Sequence, residues 1–228
     1  MQKKGLLSGN ALKIIALVTM TIDHMGMLLF PSVLLFRVIG RLAMPIFAYM
    51  IAEGCKYTRN KVKHFLLVFL LGVVCQVVYY FANHDLMMSI LIDFSMSILV
   101  IYAIEYAKSC KNWKGWLLPV LSVILVGLCV YVLPLFIKGL YFDYGFFGIL
   151  APVCVYMFDK KWLKLVALAI ALLPVSACAF TPIQWFCYLA LIPLALYNGK
   201  RGKYNIKYLF YLYYPLHLVV LYAISLLI

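Results

Sequence analysis

Nine apolar runs separated by short polar breaks, with lysine and arginine held almost entirely to every second break, direct this chain toward a bundle of membrane-crossing helices. The runs are 12–30, 36–55, 64–82, 88–107, 116–136, 144–158, 162–180, 185–197 and 208–228. A helix rises about 1.5 Å per residue and the hydrocarbon core is about 30 Å thick, so roughly 20 residues make one crossing. The sixth and eighth runs fall short of that and are expected to be distorted, extended into their flanks, or incomplete spans. Of the 228 residues, 67% are hydrophobic and 12% charged, more apolar surface than a soluble core of this length can hide. The expectation is an all-α integral membrane protein of about nine transmembrane helices, a single domain over 1–228.

Orientation follows from the positive charges. Lys3, Lys4 and Lys13, then Lys56, Arg59, Lys61 and Lys63, then Lys108, Lys111 and Lys114, then Lys160, Lys161 and Lys164, and last Lys200, Arg201, Lys203 and Lys207 make up 17 of the 20 lysines and arginines. The intervening breaks hold only Lys138. By the positive-inside rule the N-terminus is cytoplasmic and the C-terminus extracytoplasmic. The net charge of +13 is therefore read as a topology signal, not as a nucleic-acid surface, which needs a basic face on a soluble domain. No cleavable signal peptide is expected, since the first apolar run contains Asp23 and His24. The seven cysteines show no CxxC spacing, and His24, His64, His84 and His217 fall in four separate segments, so no metal is expected.

An ionisable group inside hydrocarbon is costly enough to mark function by default. Asp23 and His24 sit about two-thirds along the first run. At 1.5 Å per residue His24 lies roughly 18 Å from the inner end, Arg41 and Asp93 lie roughly 8 Å below the outer one, and Gln76 comes out near the level of His24. One layer in the outer half can gather all of them around an internal cavity. Arg37 and Arg41 share a helix face, and Pro45 continues that stripe where it would free backbone carbonyls. Arg37 is also placed to snorkel to the interface, Arg41 needs an internal partner in Asp23 or Asp93, and Gln76 and Asp93 serve equally well as interhelical hydrogen-bonding residues. His217 lies midway along the last run; Glu53 and Glu105, among basic residues at inner helix ends, are read as interfacial.

The stretch Asn10-Ala-Leu-Lys-Ile-Ile-Ala-Leu-Val-Thr-Met-Thr-Ile-Asp-His-Met-Gly, then Phe36-Arg-Val-Ile-Gly-Arg-Leu-Ala-Met-Pro-Ile-Phe-Ala-Tyr and the closing Tyr214-Pro-Leu-His-Leu, resembles the TraX family, whose founding members are associated with pilin acetylation. The resemblance covers nearly the whole chain and is strongest over 10–80. That family is in turn similar to the transmembrane acyltransferase superfamily, including the acyltransferase-3 group, in which a lysine or arginine precedes an essential first-helix histidine by eleven positions. Lys13 and His24 match that spacing. The Arg-x-x-Arg pair of that group is not matched, because Arg37 and Arg41 are four apart.

The resemblance implies a multi-pass protein of the prokaryotic inner (cytoplasmic) membrane that moves an acetyl group from cytosolic acetyl-CoA, or another acyl-CoA, to an amine or hydroxyl acceptor outside. That acceptor would be a peptide such as pilin, or a glycan. In that reading His24 is general base or transient acyl carrier, Asp23 orients it, and Arg41 stabilises the oxyanion or the carboxylate. Lys13, Lys56, Arg59 and Lys203 on the inner rim meet the donor phosphates, while Arg37, Gln76, Asp93 and His217 line the cavity. A proton-coupled transporter or a non-catalytic membrane scaffold are the alternative readings of the same polar layer.

Overall fold

The backbone dictates the architecture before any side chain does, because in an apolar medium every N–H and C=O must bond within the chain, and a helix does this segment by segment. The computed structural model describes residues 5–110, 112–179, 181–204 and 206–227. Lys3, Lys4 and Lys111 of the basic breaks, and Phe180 and Ile228 at the ends of expected runs, lie outside the described residues, as do the side chains of Lys207 and Tyr208. The chain forms α1 (Gly9–Leu28), α2 (Leu34–Gly40), α3 (Ala43–Tyr57), α4 (Lys61–Asn83), β1 (Leu86–Met88), α5 (Ile90–Ser109), α6 (Leu117–Tyr131), α7 (Leu133–Phe136), β2 (Leu140–Phe142), α8 (Gly145–Tyr156), α9 (Lys161–Ala177), α10 (Leu191–Ala195) and α11 (Lys207–Ser225). Two 3₁₀ segments, Trp113–Trp116 and Pro182–Ala190, lead into α6 and α10.

Local chemistry sets several boundaries. The Ser8 side chain accepts from the Ala11 amide at 3.2 Å, the Asn60 side chain from Lys63 at 2.9 Å and the Ser89 side chain from Leu91 at 3.3 Å, so α1, α4 and α5 each begin on a side-chain cap. His84 ends α4 in the left-handed region at φ 51°. Between α2 and α3 the helix breaks at Arg41 and Leu42, where Pro45 has no N–H to return to the Arg41 carbonyl.

With these breaks bridged, the described residues run back and forth at the nine positions expected from the sequence. Five stretches, Gly9–Leu28, Leu34–Tyr57, Lys61–Ala82, Ile90–Ser109 and Trp113–Phe136, are helical, long and apolar enough to cross a membrane, fewer than the about nine transmembrane helices expected, of which the sixth and eighth are themselves expected to fall short. Gly145–Tyr156 and Pro182–Ala195, the sixth and eighth, are short apolar helices. The eighth is stretched: its 3₁₀ part rises about 2.0 Å per residue, so 14 residues reach about 25 Å instead of the roughly 21 Å of an α-helix. The all-α expectation also needs a correction. β1 and β2 form a parallel two-stranded ribbon pairing Leu86 with Leu140, Met87 with Tyr141 and Met88 with Phe142, which sets three-residue strands where the sequence reads as helix ends and polar breaks.

The basic breaks collect at one end of the bundle. Main-chain amides of Gly9 and Asn10 donate to the carbonyls of Lys200 and Arg201, both at 2.8 Å. Lys61 pairs with Glu105 at 2.9 Å, Lys161 reaches the Tyr197 carbonyl at 2.7 Å, and Lys56 pairs with Asp159. The ribbon lies at the opposite end, tied by Tyr141 Oη donating to Asp85 at 2.9 Å. Tyr49, Phe94, Ile98, Ile101, Ile149, Leu168 and Leu172, from α3, α5, α8 and α9, are fully buried at the centre. Leu121, Leu125, Leu128, Leu209, Leu212 and Leu216 on α6 and α11 stay exposed, an apolar exterior of the kind that lipid covers.

Glu53 is not interfacial as its place in the sequence implies. It is buried in an ion pair with Lys164, the two side chains 6% and 7% exposed, with the lysine ammonium 5.9 Å from the centre of the Tyr49 ring. Removing one partner of a buried pair strands the other charge. Lys164→Ala is therefore expected to lower unfolding stability in detergent by about 3 kcal/mol, while Lys56→Ala, at the exposed pair with Asp159, leaves it nearly unchanged. Equal thermal shifts for the two variants would refute this.

Candidate functional site

Two glycines bring α1 and α2 together. A Cβ on Gly26 would lie 2.7 Å from Cβ of Phe36, and one on Gly40 would lie 2.1 Å from Oδ1 of Asp23. The bare Gly40 backbone therefore leaves the space that the Asp23 carboxylate occupies. Arg41 Nη2 donates to both carboxylate oxygens, at 2.9 and 3.0 Å. Arg37 Nη1 lies 2.9 Å from Oδ2 and donates to the Asp23 carbonyl at 3.1 Å. The remaining contacts of Arg41 run from Nε to the Arg37 carbonyl at 3.3 Å and from Nη1 to Oε1 of Gln184 at 3.0 Å. One carboxylate thus anchors two guanidinium groups, the strong charge-assisted arrangement expected for arginine.

This geometry redistributes the roles read from sequence. Of the two partners open to Arg41, the structure supplies Asp23. Arg41 is almost fully engaged and 12% exposed, whereas Arg37 is 29% exposed, and among the described residues no hydrogen bond engages its Nε or Nη2. The unengaged guanidinium donors are therefore on Arg37, not on Arg41, and neither arginine is among the residues that line the cavity beside His24. Asp23 does not orient His24. Successive residues on a helix diverge by about 100°, and the Asp23 carboxylate turns to the arginines while His24 turns to α11. There Nδ1 of His24 lies 3.0 Å from Nε2 of His217, with ring centres 5.1 Å apart. The two residues are 193 positions apart in the chain.

Gln76 and Asp93 lie near this layer without joining the arginines. Gln76 Oε1 accepts from the Ser89 amide at 2.7 Å. Asp93 is 1% exposed, and among the described residues its carboxylate oxygens, like Nε2 of Gln76, have no hydrogen-bond partner. Of the basic-rim residues, Lys13 stacks its ammonium over Phe210 at 5.7 Å and Lys203 over Tyr204 at 5.8 Å. Both stand where Asn10 Nδ2 donates to the Tyr204 carbonyl. Lys56 is held by Asp159, and Arg59 is exposed in the same break. The four rim residues do not form one cradle.

A cavity of about 90 Å³ opens beside His24, lined also by Asp23, Gly40, Phe47, Tyr79, Ser89, Asp143, Tyr144 and Tyr214. That volume admits several waters or an acetyl group. Asp143 was not singled out from the sequence; its signal is an acid in a break that otherwise carries only Lys138. It is accessible by area yet hemmed in by protein. That surrounding bulk pushes its carboxyl up to about 6, against the pull of Arg41 and Arg37 and with the help of Asp23. A carboxyl raised in this way favours the folded state below its unfolded value of 3.8 and loses that contribution as the pH rises toward 6. Asp143→Asn is thus expected to flatten the decline in melting temperature between about pH 4 and pH 6.5; parallel curves for variant and wild type would exclude the effect. Among the described residues no group of three or more His, Cys, Asp or Glu side chains is arranged to hold a metal.

The family model described as TraX protein matches residues 8–225 of the chain. A probable fimbrial assembly protein, FimC, of Dichelobacter nodosus serogroup H1 is 24% identical over 235 aligned residues, covering 94% of each chain. An uncharacterized protein of Rickettsia prowazekii is 35% identical over 68 residues, 30% of this chain and 25% of that protein's length. No solved structure matches.

Proposed function

The chain belongs to the TraX protein family, which is associated with pilus and fimbrial assembly, and from that premise we propose that it is a membrane-embedded acyltransferase. It would take an acetyl group from acyl-CoA at the basic end and pass it to an amine or hydroxyl acceptor arriving at the ribbon end. The observation that carries this reading is His24 on the wall of a cavity beside the Asp23, Arg37 and Arg41 cluster. A base and a source of positive charge stand in one layer, which acyl transfer requires.

Lys13 and His24 are separated by about 16 Å along α1, so Lys13 serves the donor and His24 the reaction. The acceptor nitrogen or oxygen attacks the thioester carbonyl while its proton passes to the His24 ring. The carbonyl oxygen collects negative charge, which the guanidinium pair held by Asp23 on the cavity wall would offset. The C–S bond then breaks, and the proton goes to the CoA sulfur. The acceptor is a peptide such as pilin or a glycan, consistent with the fimbrial assembly relative, and the basic end faces the cytosol of a prokaryotic cell.

The test is reconstitution in proteoliposomes with labelled acetyl-CoA on the basic side and pilin-like peptides or glycans on the other. Label on an acceptor supports the proposal. Intact acetyl-CoA, together with proton-coupled flux of a small solute, would replace it with a carrier.

A further inference from the structure

The hydrogen bonds between α1 and α11 fix which nitrogen of each histidine carries a proton. His217 Nδ1 lies 3.1 Å from the Tyr213 carbonyl, and a carbonyl only accepts, so Nδ1 of His217 is protonated. In a neutral imidazole Nε2 is then a bare acceptor. That Nε2 lies 3.0 Å from Nδ1 of His24, so His24 supplies the proton and carries its own hydrogen on Nδ1. The lone pair of His24 is left on Nε2, in a residue that lines the cavity.

Further contacts support this pair, and their hydrogens are assigned in the same way. Thr21 Oγ1 donates its single hydrogen to the Leu17 carbonyl at 2.9 Å, so the Tyr213 hydroxyl, 2.7 Å from Thr21 Oγ1, is the donor between them. Tyr213 lies flat on His217, ring centres 5.5 Å apart and planes 5° from parallel, and Tyr214 meets His217 edge-on at 5.7 Å. Thr21 and His24 are one turn apart on α1, and Tyr213 and His217 one turn apart on α11. Among the described residues two hydrogen-bonded rungs join the helices here, and one of them is the histidine pair.

We propose that His217 is the positioning residue of this site: it holds His24 in the Nδ1–H form and takes up that proton while the His24 Nε2 is occupied. This rests on the acyltransferase reading for its second half only. When the acceptor proton arrives at Nε2 of His24, the Nδ1 proton moves to Nε2 of His217, which becomes the imidazolium, and His24 stays neutral with its hydrogen on Nε2. As the C–S bond breaks, His24 gives the Nε2 proton to the leaving thiolate and recovers its Nδ1 proton from His217. No proton is gained or lost over the cycle, and no charge is left on the ring facing the cavity.

Nitrogen NMR of full-length protein labelled with ¹⁵N-histidine, in nanodiscs without substrate, reads the tautomers directly. Wild type is expected to show His24 with its proton on Nδ1. In His217→Ala that preference is expected to be lost in favour of Nε2–H. In His217→Gln the side-chain carbonyl accepts the same hydrogen bond and keeps the tautomer, but an amide cannot hold the extra proton, so kcat falls about 100-fold with KM for acyl-CoA unchanged. Finding His24 protonated on Nε2 in wild type, or unaltered in His217→Ala, overturns the positioning role whether or not the protein transfers acyl groups. Full kcat in His217→Gln removes the proton-holding role alone.

Discussion

His24→Ala is expected to reduce acetyl transfer by about 10²–10⁴-fold, the range that a positioned acid or base contributes, while binding of acyl-CoA stays within a factor of two or so of wild type. The split follows from placement. His24 stands in the cavity layer, whereas the basic side chains suited to the donor phosphates lie at the far end of α1 and in the 200–204 segment. If His24 acts as a covalent carrier in place of a base, the variant loses both transfer and slow thioester hydrolysis; if it acts as a base, residual transfer rises with pH as the acceptor loses its proton unaided. Comparing turnover and equilibrium binding in the same nanodisc preparation checks the prediction, and undiminished turnover removes His24 from the chemistry.

The second large effect belongs to Asp23, through stability. Its carboxylate is the anion shared by Arg37 and Arg41, so Asp23→Ala leaves two guanidinium groups with carbonyls, one amide and the more distant Asp143 carboxyl to face. Breaking a buried pair by removing one partner costs about 3–5 kcal/mol, and losing the shared anion of a three-group cluster belongs at the upper end. Thermal unfolding in detergent should show this as a marked loss of melting temperature, with Arg41→Ala less severe because Asp23 keeps Arg37. A Gly40→Ala change should approach the same outcome from the other side, since its methyl group would sit 2.1 Å from Oδ1 of Asp23. Asp23→Ala melting as wild type would mean that the cluster is solvated and adds little.

Depth along a helix is legible in a sequence and direction around it is not. Counting residues puts Asp23, His24 and Arg41 in one layer, and it narrows the partner of Arg41 to two carboxylates. It says nothing of which neighbour each side faces, so His24 is read with Asp23 when the fold sets it against His217 from the opposite end of the chain. The same limit explains Glu53: its position at a helix end suits the interface, and only the packing of α3 against α9 reveals Lys164 beside it. The freed carbonyls at Pro45 were readable because proline's missing N–H is a local property; the helix break they accompany, inside a run read as one span, was not. The ribbon and Asp143 were not, because a three-residue strand carries no periodicity and its pairing joins segments 54 positions apart, such as Leu86 and Leu140.

The stretched 3₁₀ segment has a mechanical effect on whatever surrounds it. Trp185, Phe186, Leu189 and Ile192 point outward from Pro182–Ala195, so this flank offers lipid tails about 25 Å of apolar wall where a relaxed leaflet pair wants about 30 Å. Mismatch of a few ångströms draws the headgroups inward at modest cost. Gln184, near the start of this segment, is bonded to Arg41, so in a bilayer such thinning would fall beside the charged cluster and shorten the way in for a water-borne molecule.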